Sequence, residues 1–351
     1  MKNIPTSVYI HLPFCKTKCP YCDFASFAGK NDLMDLYQQA LFAEMNHRLK
    51  NFFSHNSISK KTKLTTIFFG GGTPSLHSEV FFEEIFQILK EYFEFDPDIE
   101  ITLEANPGTV DANKLISFKE RGINRISLGI QTFSARLLEK LGRGHNLDDS
   151  YRAISLIKDT KFKSWSLDLI YGLPKQSIQD AIFDFQTAID LEPPHISAYG
   201  LSIEKNTPYG DIFKDSRHPD LPVEDDLVSM YNNANEIFDL AGLKRYEISN
   251  WSKVGHESKH NLCYWLAKEY FAFGLSAHGY LDSVRYANTR DLYQYIDNFS
   301  NLRDLDSSEK DNLFLFCSEQ NFIDESEKFE ERVMLNLRLS KGLKLDPAIR
   351  K

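Results

Sequence analysis

Six short runs rich in apolar and β-branched residues recur along the first part of the chain. They are Val8–Leu12, Thr66–Phe69, Glu100–Leu103, Arg125–Gly129, Ser164–Ile170 and His195–Gly200, and they read as strands. Between them the apolar spacing changes to that of a helix. Leu33, Leu36, Tyr37, Ala40 and Leu41 mark one helical face over Asp32–Phe53. The same period predicts helices over Ser78–Phe93, Asp111–Arg121, Ser134–Leu141, Asp148–Lys158 and Gln176–Leu191. Asp32 and Ser78 are expected as N-caps, and Gly122 as a helix stop. Strands joined by helical crossovers must run parallel. Right-handed crossovers curl such a sheet, so the expected class is α/β, a partial (β/α)6 barrel of TIM-like form.

The pattern changes near Lys205. Residues 206–222 are rich in Pro, Asp and Gly and read as a linker. A helix over Val223–Ala241 opens a smaller mixed α/β region, expected over 223–351. The expected division is therefore 1–205, 206–222 and 223–351, in keeping with 351 residues at about 150 per domain. Within the last region, 301–332 carries ten acids and four bases and reads as a solvated surface stretch. A final helix is expected near Glu330–Leu339.

Composition narrows the function. The chain is 42% apolar and 26% charged, enough to bury a core. Its net charge of −9 disfavours nucleic acid, which needs a basic surface. No apolar run approaches the roughly 18 residues of a membrane helix. The N-terminal stretch MKNIPTSVYIHLPFC lacks the apolar core of a signal peptide, so a cytoplasmic protein is expected.

Five cysteines are present, three of them as C-x3-C-x2-C: Cys15, Cys19 and Cys22. A reducing compartment favours metal over disulfides. A structural zinc site wants four ligands, and no fourth Cys or His follows closely. Three thiolates on one loop suit three irons of a [4Fe–4S] cluster, with the fourth iron open. A three-Cys zinc site or three unrelated thiols are the alternatives. Cys263 reads as a small buried residue, with a further thiolate ligand as the alternative, and Cys317 has no assigned role.

Other polar residues fall at the C-terminal ends of the expected strands, the catalytic face of such a barrel. The cysteine loop follows the first strand, GGGTP (70–74) the second, Gln131 the fourth and Ser202 the sixth, while Glu104 ends the third and Asp168 lies late in the fifth. Gly70–Gly72 permits close backbone approach, yet matches neither the P-loop nor the dinucleotide spacing. A ligand with an amino group and a carboxylate would chelate the open iron. The glycine edge would hold its amino group, Arg143 its carboxylate, and Glu104 or Asp168 ribose hydroxyls.

PFCKTKCPYCDF (13–24), GGGTPS, EANP (104–107), GIQTF (129–133) and DLIYGLP (168–174) together resemble the radical S-adenosylmethionine (SAM) superfamily. More narrowly they resemble the oxygen-independent coproporphyrinogen III oxidase-like family, from about Val8 to Leu343. The resemblance implies a [4Fe–4S] cluster on Cys15, Cys19 and Cys22, with SAM on its unique iron. It implies that Tyr9 helps place SAM, that Tyr21 packs against adenine, and that Gly71, Gly72 and Thr73 contact the methionine end. Glu104, Gln131, Arg143 and Asp168 would complete the pocket. Reductive cleavage of SAM to a 5′-deoxyadenosyl radical would follow, the cofactor doing that chemistry.

Two branches of that family differ at one residue. The oxidases extend the motif to C-x3-C-x2-C-x-C, whereas Phe24 stands here in place of the fourth Cys. The resemblance is thus to the haem chaperone (HemW-type) branch, whose second signature, H-N-x-x-Y-W, appears as His260, Asn261, Leu262, Cys263, Tyr264 and Trp265. It implies haem bound near His260, a candidate axial ligand of the haem iron. His278 is a weaker candidate, and His11, near the cluster loop, a supporting residue. The alternative is that these aromatics are core packing. The implied partners are haem, an unidentified acceptor protein and an electron donor. No residue is assigned a catalytic role. The rival activities are oxidative decarboxylation of a porphyrinogen and, less favoured, modification of RNA. Relatives continue past the turn at 342–343, so the C-terminal region is expected to be shortened.

Overall fold

The computed structural model describes residues 4–215, 217–302 and 305–344. The last residues of the region expected over 223–351 therefore lie outside the described ones. The six expected strands are all present: β1 (Ser7–Leu12), β2 (Thr62–Gly71), β3 (Phe93–Ala105), β4 (Arg125–Gln131), β5 (Ser164–Tyr171) and β6 (His195–Gly200). They pair in chain order, all parallel. The crossovers carry α1 (Met34–His55), α2 (Glu79–Tyr92), α3 (Ala112–Glu120), α4 (Ala135–Lys140), α5 (Leu147–Thr160) and α6 (Ile178–Asp190).

Side-chain alternation explains how this sheet makes both a core and a site. In β4, Ile126, Leu128 and Ile130 are buried in the main core, and in β5 and β6 so are Leu167, Leu169, Ile196 and Ala198. The alternate residues point to the opposite face. These are Arg125, Ser127, Gly129 and Gln131, then Ser166 and Asp168, then His195, Ser197 and Tyr199. Parallel strands buried on both faces are usually apolar throughout. Here one face is polar, so the barrel encloses a site instead of a filled core.

Helix ends follow the local sequence. Ser177 with Asp180 and Asn146 with Asp149 form capping boxes on α6 and α5. Asp111 caps α3, each such cap being worth about 1 kcal/mol. Two expected caps differ. A 3-10 turn over Asn31–Leu33 precedes α1, so Asp32 lies inside that turn and does not cap it. Ser78 occupies the cap position of α2 without a side-chain hydrogen bond.

The expected linker contains α7 (Pro208–Ile212), capped by Thr207. After α8 (Glu224–Leu240) the chain returns to the same sheet. The strands β7 (Lys244–Glu247) and β8 (Asn250–Ser252) extend it antiparallel beyond β6. Then α9 (Lys259–Trp265) leads to β9 (Phe271–Phe273), which pairs parallel with β1 at the opposite edge. Among the described residues the sheet thus has nine strands and runs across the boundary expected at 222. A second, antiparallel sheet holds β10 (His278–Leu281), β11 (Val284–Asn288) and β12 (Cys317–Phe322). The helices α10 (Leu292–Ser300) and α11 (Ser307–Lys310) connect β11 to β12, and α12 (Glu325–Asn336) follows. The final helix therefore starts earlier than expected, because Asp324 and Glu327 form its capping box, and it ends at Asn336.

A buried polar cluster ties the two sheets to α1. Glu44 accepts hydrogen bonds from Arg48 (2.5 Å), Tyr295 (2.5 Å), Asn288 (2.7 Å) and the amide of Gly274 (2.7 Å). Cys317 Sγ sits 3.4 Å from Arg48 Nη2, which places it in this cluster and gives it a packing role.

Candidate functional site

One cavity of about 750 Å³ runs down the polar interior of the barrel. The three motif cysteines line it, and so do all nine residues expected around SAM: Tyr9, Tyr21, Gly71, Gly72, Thr73, Glu104, Gln131, Arg143 and Asp168. Stretches more than 150 residues apart in sequence converge because each follows or ends a parallel strand at the same rim.

The cysteine loop is pinned at both ends. Phe14–Cys15 pairs with Phe27–Ala28, and the Cys22 amide donates to the Cys19 carbonyl at 3.1 Å. Thr73 Oγ1 donates to Cys15 Sγ at 3.5 Å and itself accepts from Asn106 Nδ2 at 2.8 Å. Arg143 continues the chain of bonds to the Asn106 side chain and to the Gly129 carbonyl at 2.9 Å, and its Nη1 lies 3.8 Å from Cys19 Sγ. Burial raises the Cys15 thiol, opposed by its bonds from Thr73 and Ser26. All five cysteines are free. Among the described residues no three His, Cys, Asp or Glu side chains converge on a single metal ion. Ligands to separate irons of one cluster need no such common point.

The glycine run is shaped for close approach. Gly71 has φ +115°, and a Cβ there would lie 2.6 Å from the His11 ring. A Cβ on Gly72 would meet the Phe14 carbonyl at 2.7 Å. His11 itself is held by Tyr9 OH (3.0 Å) and the Ala25 carbonyl (2.9 Å), so it braces the loop from beneath. Gln131 has φ +73° beside a register shift, a left-handed conformation that favours glycine. Such local strain concentrates at functional sites.

The electrostatics suit a cationic, hydroxyl-bearing guest. Glu104 accepts one amide bond, from Gly71 at 3.1 Å. Burial and the neighbouring Asp168 push its carboxyl up to about 8. Burial also raises Asp168, against hydrogen bonds from Ser127 (2.7 Å) and Ser166 (3.2 Å). Buried Arg143 Nε has no hydrogen-bond partner. Two buried acids raised above the ordinary carboxylate range and an unused guanidinium donor form a lining that an ammonium, ribose hydroxyls and a carboxylate would satisfy.

The structure puts the H-N-x-x-Y-W segment elsewhere than a surface site. It forms α9, which closes the N-terminal end of the barrel. Glu100, on β3, accepts the Lys259 and His260 amides at 3.0 Å each and so neutralises the start of α9. His260 is fully buried, with Nδ1 2.8 Å from Thr66 Oγ1 and Nε2 2.7 Å from Tyr264 OH. Burial lowers its pKa to about 3, so the ring is neutral. Asn261 and Tyr264 line the cavity, but His260 does not. Cys263 is buried and packs. His278 begins β10 and lies within electrostatic reach of His11. Sequence reasoning passed over Arg125, His195 and Tyr199, which also line the cavity. The signal was present as strict polar–apolar alternation in β4 and β6, a pattern that a two-sided buried strand has no packing reason to keep.

The radical SAM superfamily profile matches residues 9–186. The chain is 41% identical over 298 residues to the haem chaperone HemW of Haemophilus influenzae, covering 83% of this chain and 76% of that protein. It is 40% identical over 280 residues to the haem chaperone HemW of Escherichia coli, covering 80% and 71%. The chain belongs to the HemW family of the radical SAM superfamily. Its fold is that of the coproporphyrinogen III oxidase HemN from E. coli, with TM-score 0.77 at 20% identity over 95% of this chain and 75% of that one. Membership in the superfamily brings a [4Fe–4S] cluster and SAM as cofactors, and the lining described above fits both. As in the HemW-type pattern, Phe24 stands two residues beyond Cys22; its side chain is 65% exposed at the cavity wall.

Proposed function

We propose that this protein is a haem chaperone that binds haem and passes it to an acceptor protein, with a SAM-ligated [4Fe–4S] cluster in its barrel. The likeness to haem chaperones over most of the chain carries this reading. Phe24 supports it, because the oxidase branch has a cysteine there. Cys15, Cys19 and Cys22 hold the cluster. Thr73 and Arg143 steady the thiols, the edge of Gly71 and Gly72 takes the amino group of SAM, and Arg143 takes its carboxylate. Glu104 and Asp168 accept its hydroxyls, Gln131 adds a polar contact, and Tyr9 and Tyr21 provide flat walls. When bound, the cluster and SAM supply one-electron reductive chemistry. Residence in a reducing cytoplasm belongs to the same proposal, since the cluster needs free thiols. No helix among the described residues is long and apolar enough to cross a membrane.

Haem sits near α9, with His260 as the axial ligand. Its ring is already neutral, the form that binds iron. Both its nitrogens are engaged, so ligation requires Tyr264 OH to leave Nε2. A haemin titration of the cluster-loaded protein, followed by absorption, tests this. One-to-one binding is expected, weakened at least tenfold and spectrally altered by His260→Ala, and strengthened by Tyr264→Phe, which frees Nε2. Unchanged binding by His260→Ala removes that ligand. Absence of saturable binding, or turnover of coproporphyrinogen III, overturns the chaperone reading.

A further inference from the structure

The lower end of the cavity carries a positive charge with no ion-pair partner among the described residues. Arg125, the first residue of β4, is 3% exposed yet lines the cavity. Its Nη1 donates to Ser164 Oγ (2.9 Å) and to the His256 carbonyl (3.1 Å). Among the described residues it forms no ion pair. Asp168 is within electrostatic reach, but Ser127 and Ser166 already occupy that carboxylate. A buried guanidinium without an anion is costly, because its desolvation is uncompensated.

His195 adds a second unmatched donor. Its ring lines the same cavity, and buried Nδ1 has no partner. The tautomer follows from Tyr246. That hydroxyl accepts the Ser258 amide at 3.2 Å and lies 2.8 Å from His195 Nε2. Its single proton therefore goes to Nε2, leaving the ring proton on Nδ1. Burial keeps the imidazole neutral, helped by the charge of Arg125. Asn261, on α9, lines the same cavity. A fork-shaped cation, an imidazole N–H and an amide match the planar, bidentate acceptor geometry of a carboxylate.

We propose that Arg125, His195 and Asn261 form a carboxylate subsite at the floor of the barrel, separate from the SAM residues at the rim. The ligand is an aliphatic carboxylate, supplied either by a propionate arm of a tetrapyrrole or by a free acid. The subsite stands on its own residues, and the tetrapyrrole source alone rests on the chaperone reading.

The first test follows line broadening of carboxyl-labelled propionate by the cluster-loaded protein. Saturable broadening is expected in the wild type, reduced several-fold in Asn261→Ala and Arg125→Lys, and abolished in Arg125→Gln. The SAM-induced change in the EPR signal of the reduced cluster should persist in all three, reporting an intact rim. If Arg125→Gln loses that change, Arg125→Lys and Asn261→Ala decide the question. No broadening by the wild type, or equal broadening by the variants, overturns the subsite. The second arm compares haemin with haemin dimethyl ester, which keeps the ring and iron but lacks the carboxylates. At least tenfold weaker binding of the ester, with the difference lost in Arg125→Gln, assigns the carboxylate to haem. Equal binding of both, with Arg125-dependent propionate broadening, assigns it to a free acid. Failure of haemin to bind at all removes the chaperone reading and leaves the propionate result to stand alone.

Discussion

Glu100 and Glu104 lie on one strand, four residues apart, and so point to the same face of β3. One serves the floor of the barrel and the other its rim. Glu100 accepts two backbone amides of α9 and is matched within the chain. Glu104 accepts one amide, faces Asp168, and is held partly protonated. The contrast extends to their neighbours. At the floor His260 has both nitrogens bonded, whereas at the rim Arg143 keeps an unused buried donor. A buried polar residue whose bonds are complete can take a ligand only by giving one up, as His260 must give up Tyr264, whereas one whose bonds are incomplete is ready for a ligand. His195 is informative because it lies at the floor and yet keeps an unused buried nitrogen, beside an Arg125 that makes hydrogen bonds but, among the described residues, no ion pair.

The sharpest test separates cysteines of the same chain. Cys15→Ala, Cys19→Ala or Cys22→Ala is expected to drop bound iron from about four per chain to near zero, with loss of the cluster's visible absorption. Cys263→Ala and Cys317→Ala should keep both. Iron retained by a rim variant would break the assignment of the three thiols.

Next in size is the exchange of the two glutamates. Glu100→Ala removes two charge-assisted bonds to α9 and is expected to cost about 3 kcal/mol, read as a lower urea midpoint. Glu104→Gln should leave the cofactor-free protein as stable or more so, while weakening SAM binding at least tenfold. Equal destabilisation by both would erase the distinction between floor and rim.

The pH dependence sharpens the same point. The Glu104 carboxyl titrates near 4.5 when unfolded and at about 8 in the fold. A raised carboxyl binds its proton more tightly when folded. Its contribution is therefore full below about pH 4.5 and lost as pH rises through about 8. Cofactor-free protein should lose stability across that window, by at most about 1.4 kcal/mol per pH unit from this one group. Glu104→Gln should flatten that part of the profile, and an unchanged profile would show that another group carries it.

The smallest effect expected is that of Arg143→Lys. The ammonium keeps the charge but loses the fork that joins Asn106 and Gly129. SAM affinity measured by equilibrium dialysis should fall about tenfold, or about 1.4 kcal/mol, with iron content unchanged. A variant binding SAM as well as the wild type would reassign Arg143 to holding the loop.

Much of this protein was legible in the chain because the determining patterns are local. The cysteine spacing, the glycine run and six strand–helix alternations are each set within a few residues, and the structure contains all six strands. The expected SAM residues meet in one cavity because parallel order alone sends every strand end to the same rim. Other features could not be read that way. The strands Lys244–Glu247, Asn250–Ser252 and Phe271–Phe273 are too short to show a period, and join the sheet only through partners far away in sequence. The segment HNLCYW announces a short helix with an aromatic face, but nothing in its spacing says what that face covers. That was decided by Glu100, 160 residues earlier, whose carboxylate seats the start of α9 on the barrel floor. Periodicity specifies which residues share a face, while the identity of the opposing surface is a long-range pairing that only the folded chain makes.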